Sequence, residues 1–381
     1  MAESKLFFKG LNGLRFFAAL LVVLTHTESM RQKQGLPNLR EFSIFNNGGL
    51  AVQFFFVLSG FLITYLLLQE QDRTGTIRIG HFYMRRILRI WPLYYLLMGI
   101  GLFLIPMIAV PILKIPYTLP FSTAEGFVMY GFFLPNLATA LYAPTLLYPL
   151  WSIGVEEQFY LFWAPVVRYL RKYLVLVFGI IIVTKTLIHI YMMQTMPESW
   201  VTHFVDTLQF ECMAIGGLGA WYVYREGGMI KTAFFFNQFY QMTFTALLFA
   251  LLFCQKSLMS AEHPYASIYQ FVYHPMWATL PTSLIFLYII LNVSLNSNAI
   301  WRTENKVFHF LGEISYGLYM YHILIVFATI SATKKWLVNM NIYSSSFILY
   351  GLICSVLVLV SYFSYHFFEK KILKLKIKYE Y

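Results

Sequence analysis

Ten stretches of predominantly apolar residues constrain this chain more than any other feature in it. They lie near 10–28, 47–68, 90–112, 148–167, 173–194, 204–224, 239–254, 276–295, 307–330 and 346–368. A helix needs about 20 such residues to cross the hydrocarbon core of a bilayer. It also satisfies its own backbone polar groups, which lipid cannot do. The runs therefore predict an all-α polytopic membrane fold. Composition agrees: charged residues make up 12% of the chain, about half of what coats a soluble domain. The longest polar stretch, near 29–46, is too short to fold alone, so residues 1–381 read as one membrane-embedded domain. The first run has no small-residue cleavage site and leads into further spans, so no cleavable signal peptide is expected.

Charge sets the orientation. The chain carries 28 Lys and Arg against 17 Asp and Glu, a net +11. With ten spans, most of these cations fall on the side of the N-terminus, including Arg85, Arg86, Arg89 and the tail lysines Lys370, Lys371, Lys374, Lys376 and Lys378. Arg31, Lys33, Arg40, Lys114, Lys256, Lys334 and Lys335 fall opposite, and Lys185 lies within a span. Basic loops stay cytoplasmic, which gives N-in and C-in. The stretch 126–149 is apolar but broken by Pro135, Pro144 and Pro149. A full crossing there would turn every later basic loop outward, so it reads as a re-entrant segment or outer cap, and as a wall of a substrate path.

Asp72 and Asp206 are the two aspartates of the chain, which excludes metal sites built on paired aspartates. Cys212, Cys254 and Cys354 have no ligand spacing, so no metal is expected. The basic cluster of the third run is brief and lies against a bilayer, which argues against nucleic acid.

Ionisable groups inside a membrane are costly and need a reason. Arg15 and His26 share the first run. Eleven residues are about three helical turns, placing both side chains on one face roughly 16 Å apart along the axis. One could hold an anion near one leaflet while the other works deeper; the bland reading is a snorkelling arginine and a terminal histidine. In His81-Phe82-Tyr83-Met84-Arg85-Arg86-Ile87-Leu88-Arg89, Arg86 with Arg89 and Arg85 with Arg89 are spaced to present guanidinium groups together. Such forks suit phosphate, though a purely topogenic cluster is the alternative. Trp151-Ser152-Ile153-Gly154-Val155-Glu156-Glu157 takes two carboxylates into an apolar run. Glu156 shares a face with Tyr160 and lies one turn from Ser152, which suits acid–base work or pairing with a buried arginine. Ser315, Tyr319 and His322 form a polar stripe at i, i+4 and i+7, commonly used for interhelical hydrogen bonds. Asn47-Gly48-Gly49 and Ser59-Gly60 read as close-packing sites.

These islands, in this order, resemble the acyltransferase-3 family of bacterial inner-membrane proteins, which includes carbohydrate O-acetyltransferases. The matching residues are Arg15 and His26, then Gly49 to Gly60 with Ser59, then Arg86-x-x-Arg89, then Trp151-Ser152 with Glu156 and Phe159-Tyr160, then Ser315-Tyr316, Tyr319 and His322. Lys371 stands where many members carry proline. The resemblance implies ten spans with both ends cytoplasmic in a bacterial inner membrane, and no fused SGNH esterase-like domain here. It implies His26 as the catalytic group, with Glu156 as a weaker catalytic candidate. Arg15, Arg86 and Arg89, and with them Arg85, would bind acyl-CoA, most simply acetyl-CoA, as a donor substrate rather than a bound cofactor. Ser59, Trp151, Tyr160, Ser315, Tyr319 and His322 are candidate lining of the cavity or acceptor site. The expected reaction moves the acyl group to a hydroxyl of an envelope carbohydrate or glycolipid. A transporter or flippase using the arginines for phosphate is the competing class, and the absence of repeated halves argues against it. Trp200, Tyr265 and Trp277 could stack on sugars, or simply belong to the interfacial belt. The acceptor, the acyl chain length and the oligomeric state are not legible in the sequence.

Overall fold

A computed structural model describes residues 8, 10–113, 117–225, 234–260 and 266–380, all of whose regular structure is helical. Lys114 and Tyr265 lie outside the described residues. The principal helices are α1 (Leu11–Lys33), α2 (Gly48–Thr74), α3 (Ile79–Gly99), α4 (Thr123–Gly131), α5 (Pro135–Leu141), α6 (Leu150–Leu170), α7 (Leu174–Thr195), α8 (Trp200–Thr207), α9 (Phe210–Tyr224), α10 (Gln238–Phe249), α11 (Thr279–Leu295), α12 (Lys306–Glu313), α13 (Ser315–Leu337) and α14 (Ile342–Phe363).

The helices fall on the apolar runs, but among the described residues six stretches rather than ten are both long and apolar enough to cross a membrane: Gly48–Thr74, Ile79–Ile112, Leu150–Thr195, Gln238–Met259, Ser315–Leu337 and Ile342–Tyr379. The difference has local causes. Leu150–Thr195 joins two of the expected runs through one 3₁₀ turn, Arg171–Tyr173. The first run is helical over 23 residues, yet Arg15, Glu28 and Arg31 dilute its apolarity. Helices α9 and α11 have 15 and 17 residues, short of a full crossing. Within 126–149, α4 and α5 have 9 and 7 residues, about 13 and 10 Å of helix. Neither can cross, in keeping with a re-entrant or capping segment. The chain reverses between them at Phe133 (φ 57°). Gln158 Nε2 fixes the reversal by donating to the Phe133 carbonyl (2.8 Å) and Asn136 Oδ1 (2.9 Å).

Helices in lipid associate through close backbone approach and a few polar contacts, and both occur here. Helices α2 and α9 meet at Gly60 and Gly216: a Cβ on Gly60 would lie 1.9 Å from the Met213 carbonyl oxygen, and one on Gly216 would lie 2.0 Å from that of Val57. Gly49, read with Gly60 as a close-packing site, has nothing within 4 Å of such a Cβ. Lys185 pairs with Glu211 at 3.0 Å, joining α7 to α9. The far end of α1 is clamped to α14. The Arg31 guanidinium donates to Glu28 Oε1 (3.0 Å), Ser346 Oγ (2.6 Å) and Ser345 Oγ (3.2 Å). Glu28 also accepts from Tyr350 Oη (2.6 Å) and the Leu39 amide (2.5 Å). Both charges are buried.

Candidate functional site

The polar residues of the apolar helices converge on two cavities at opposite ends of α1. The first, of about 130 Å³, is lined by Arg15, Arg86, Arg89, Ser59, Ser152, Glu156, Tyr160, Ser315, Tyr316 and Tyr319 among apolar residues of α2, α3 and α6. Five helices supply these side chains, so no single segment could have revealed the site. Helical spacing dictates the local order: Ser152, Glu156 and Tyr160 succeed one another by four residues along α6 and share one face. Glu156 is the hub. Its Oε1 accepts from Ser59 Oγ (2.6 Å) and its Oε2 from Tyr160 Oη (3.2 Å). Arg15 Nη1 donates to Asn12 Oδ1 at 3.4 Å. Three guanidinium groups thus line the cavity beside one carboxylate, with Glu157 near Arg86 and Glu369 near Arg89 outside the lining; guanidinium groups gathered in this way can hold an anion.

Arg85 is placed differently from its neighbours. Adjacent helical positions point about 100° apart, and Arg85 turns away from the Arg86 and Arg89 cavity. Its guanidinium donates to Glu70 Oε2 (2.5 Å) and to the Tyr379 carbonyl (2.7 Å), so the expected face shared by Arg85 and Arg89 does not form. Trp151 lines neither cavity; it is buried edge-on against Phe56.

The second cavity, about 360 Å³, is lined by His26, Ser29, Lys33, Arg40, Tyr117, Pro144, Thr145, Leu146, Tyr148 and Phe327 with a few others. The proline-broken stretch therefore walls it. His26 stacks obliquely on His322, with ring centroids 5.0 Å apart, and meets the Tyr148 ring edge-on at 5.8 Å. His322 is wholly buried and its Nδ1 contacts the Tyr319 carbonyl. A carbonyl can only accept, so Nδ1 carries the proton and Nε2 of the neutral ring is an acceptor. That Nε2 has no hydrogen-bond partner among the described residues.

The stripe on α13 connects the two cavities. Ser315 and Tyr319 line the arginine cavity, while His322 touches His26. Tyr319 Oη and Ser152 Oγ lie 2.7 Å apart, and both reach the Pro149 carbonyl, at 3.2 and 3.3 Å. Arg15 and His26, three turns apart on α1, thus line separate cavities, with the Ser152 and Tyr319 hydroxyls in the wall of the arginine cavity. Such an arrangement can hold an anionic donor at one end and offer the half-buried His26 imidazole to a hydroxyl at the other.

Sequence reasoning missed Tyr148, and named Tyr316 within the family match but not as lining of the cavity. Tyr148 lies in the proline-broken stretch, which marked the region though not the residue. The Glu28 and Arg31 clamp was also missed, although an acid and a base at i, i+3 in α1 were a usable signal.

Known proteins are similar to this chain in sequence. A Staphylococcus aureus protein provisionally named an O-acetyltransferase is 27% identical over 384 residues, covering 97% of this chain and 58% of the relative. An Acidianus two-tailed virus protein provisionally named an acetyltransferase is 29% identical over 327 residues, 82% of this chain and 81% of its own length. A Bacillus subtilis protein provisionally named a peptidoglycan O-acetyltransferase is 31% identical over 156 residues, 40% of this chain and 23% of the relative. The chain spans less than two thirds of the Staphylococcus relatives it matches. No solved structure matches it significantly. The acyltransferase domain profile (Acyl_transf_3) matches residues 8–366, a span that holds both cavities. The chain is a member of the acyltransferase-3 family.

Proposed function

We propose that this protein is a membrane O-acyltransferase that takes an acyl group, acetyl in the simplest case, from acyl-CoA on the cytoplasmic side. It passes the group to a hydroxyl of an envelope carbohydrate or glycolipid at the outer face. The proposal takes residues 1–381 as one membrane-embedded domain of ten spans, N-in and C-in, in a bacterial inner membrane. One observation carries it: a cavity with three arginines and a cavity lined by the half-buried His26 stand at opposite ends of α1, joined along α13. The names of the Staphylococcus and Bacillus relatives support acetyl as the group and a glycan hydroxyl as the acceptor.

In this reading Arg15, Arg86 and Arg89 hold the donor phosphates through charge-assisted hydrogen bonds. Neutral His26 removes the proton of the acceptor hydroxyl. The hydroxyl oxygen bonds to the thioester carbonyl carbon, the C–S bond breaks, and the CoA thiolate leaves and takes up a proton. An acyl-imidazole on His26, formed by displacement of CoA and then attacked by the hydroxyl, is the two-step form of the same chemistry. Glu156 orients Ser59 and Tyr160 and offsets part of the arginine charge.

The test incubates purified protein in nanodiscs with radiolabelled acetyl-CoA and an envelope glycan extract. Wild type is expected to release free CoA and label the glycan. His26→Ala is expected to bind acetyl-CoA as wild type does and lose transfer by at least 100-fold. Glycan movement without CoA release would establish a flippase instead. Native-rate transfer by a folded His26→Ala protein would remove His26 from the mechanism.

A further inference from the structure

Beside the arginine cavity lies a smaller one of about 80 Å³. It shares Ile63 and Arg86 with the first and is closed by Phe82, Arg85, Lys376 and Glu380. Lys376 and Glu380 come from the C-terminal segment that begins as the 3₁₀ helix Lys374–Tyr379. This segment is fastened to the start of α3. Arg85 Nη1 donates to the Tyr379 carbonyl (2.7 Å), and the Tyr379 ring meets the His81 ring edge-on at 5.5 Å. Arg85, engaged with Tyr379 and Glu70, therefore acts as a positioning residue for the tail.

The fastening brings Lys376 into the electrostatic field of Arg86, Arg89 and Arg85, with Glu380 as the opposing charge. Gathering cations against their mutual repulsion is costly unless an anion compensates. Arg86 Nε is buried with no hydrogen-bond partner among the described residues, so a donor group stands ready at the junction of the two cavities. We propose that Lys376 is a further binding residue for a phosphate group of the donor, extending the arginine site onto the tail. The inference rests on the acyl-CoA reading above. Coenzyme A carries a diphosphate and a 3′-phosphate, about four negative charges at neutral pH, more than the three guanidinium charges of Arg15, Arg86 and Arg89 neutralise. Lys376 lies beyond residues 8–366, so the family match does not assign it.

The test uses the full chain in phosphatidylcholine nanodiscs, with acetyl-CoA and 3′-dephospho-acetyl-CoA as probes. Lys376→Ala is expected to raise the acetyl-CoA Kd about tenfold, the worth of one charge-assisted hydrogen bond, with turnover at saturation within twofold of wild type. Lys376→Arg is expected to restore affinity. Lys374→Ala, on the exposed side of the same segment, controls for tail integrity and is expected to leave Kd unchanged. Loss of the preference for acetyl-CoA over the dephospho probe in Lys376→Ala would assign the contact to the 3′-phosphate, and its retention to the diphosphate. An acetyl-CoA Kd in Lys376→Ala within twofold of wild type overturns the inference. If that variant instead loses only thermal stabilisation by phosphatidylglycerol nanodiscs, the phosphate belongs to a lipid headgroup and the inference again fails. Wild type that does not bind acetyl-CoA at all overturns the acyl-CoA reading itself.

Discussion

Removing Glu28 and Arg31 together should damage this protein less than the two single removals added up would suggest. Both side chains are almost wholly inaccessible, at 0% and 1%. Glu28→Ala deletes the acceptor of three hydrogen bonds, from Arg31 (3.0 Å), Tyr350 (2.6 Å) and the Leu39 amide (2.5 Å). The guanidinium keeps its two serine partners on α14 but loses its counter-charge. Breaking a buried pair in this way costs about 3–5 kcal/mol, much of it the desolvation of the charge left behind. Arg31→Met strands Glu28 for a similar cost, so independent effects would sum to about 6–10 kcal/mol. The double variant Glu28→Ala with Arg31→Met leaves no buried charge, and should cost less than that sum by up to about 3 kcal/mol, the range for directly interacting residues. Unfolding in mixed micelles, followed by circular dichroism, measures all three variants in one cycle. A double variant that costs the full sum of the singles would refute the argument. Because the clamp fixes the helix end two residues beyond His26, Glu28→Ala should also depress transfer in the surviving folded fraction while leaving donor binding intact.

Two further outcomes follow from the packing and the charge distribution. Gly60→Val places a Cβ 1.9 Å from the Met213 carbonyl oxygen, so α2 and α9 must separate; the expected loss is about 1–3 kcal/mol or more, against no measurable change for Gly49→Ala, with thermal unfolding in detergent as the readout. Glu156→Gln removes the carboxylate that lines the cavity with Arg15, Arg86 and Arg89 while keeping its shape. Acetyl-CoA should bind at least as tightly, by titration in nanodiscs, while CoA release slows by tenfold or more; weaker donor binding would make Glu156 part of the donor site rather than its counter-charge.

The sequence by itself determined the helical class, since continuous apolar runs of about 20 residues suit a spanning helix, whereas a closed barrel needs strands of only about ten. It also determined which residues were too costly to be incidental: Arg15, His26, Glu156 and the stripe of Ser315, Tyr319 and His322. Helical periodicity sufficed to pair residues within one helix, so Ser152, Glu156 and Tyr160 were legible as one face before any contact between helices was known. What periodicity cannot supply is rotation about the helix axis relative to the neighbours. That rotation decided that Arg86 and Arg89 enter the cavity while Arg85 turns to Glu70 and the tail, and that Ser59, which looked like packing, donates to Glu156. It likewise decided that Trp151 fills the core instead of lining a cavity. Tertiary structure alone brought His26 to His322 across 296 residues of chain and laid the C-terminal lysines against α3. Contacts between helices far apart in sequence depend on shape and close backbone approach, as at Gly60 and Gly216. In lipid, where apolar residues gain little by turning inward, composition does not encode which face will meet which.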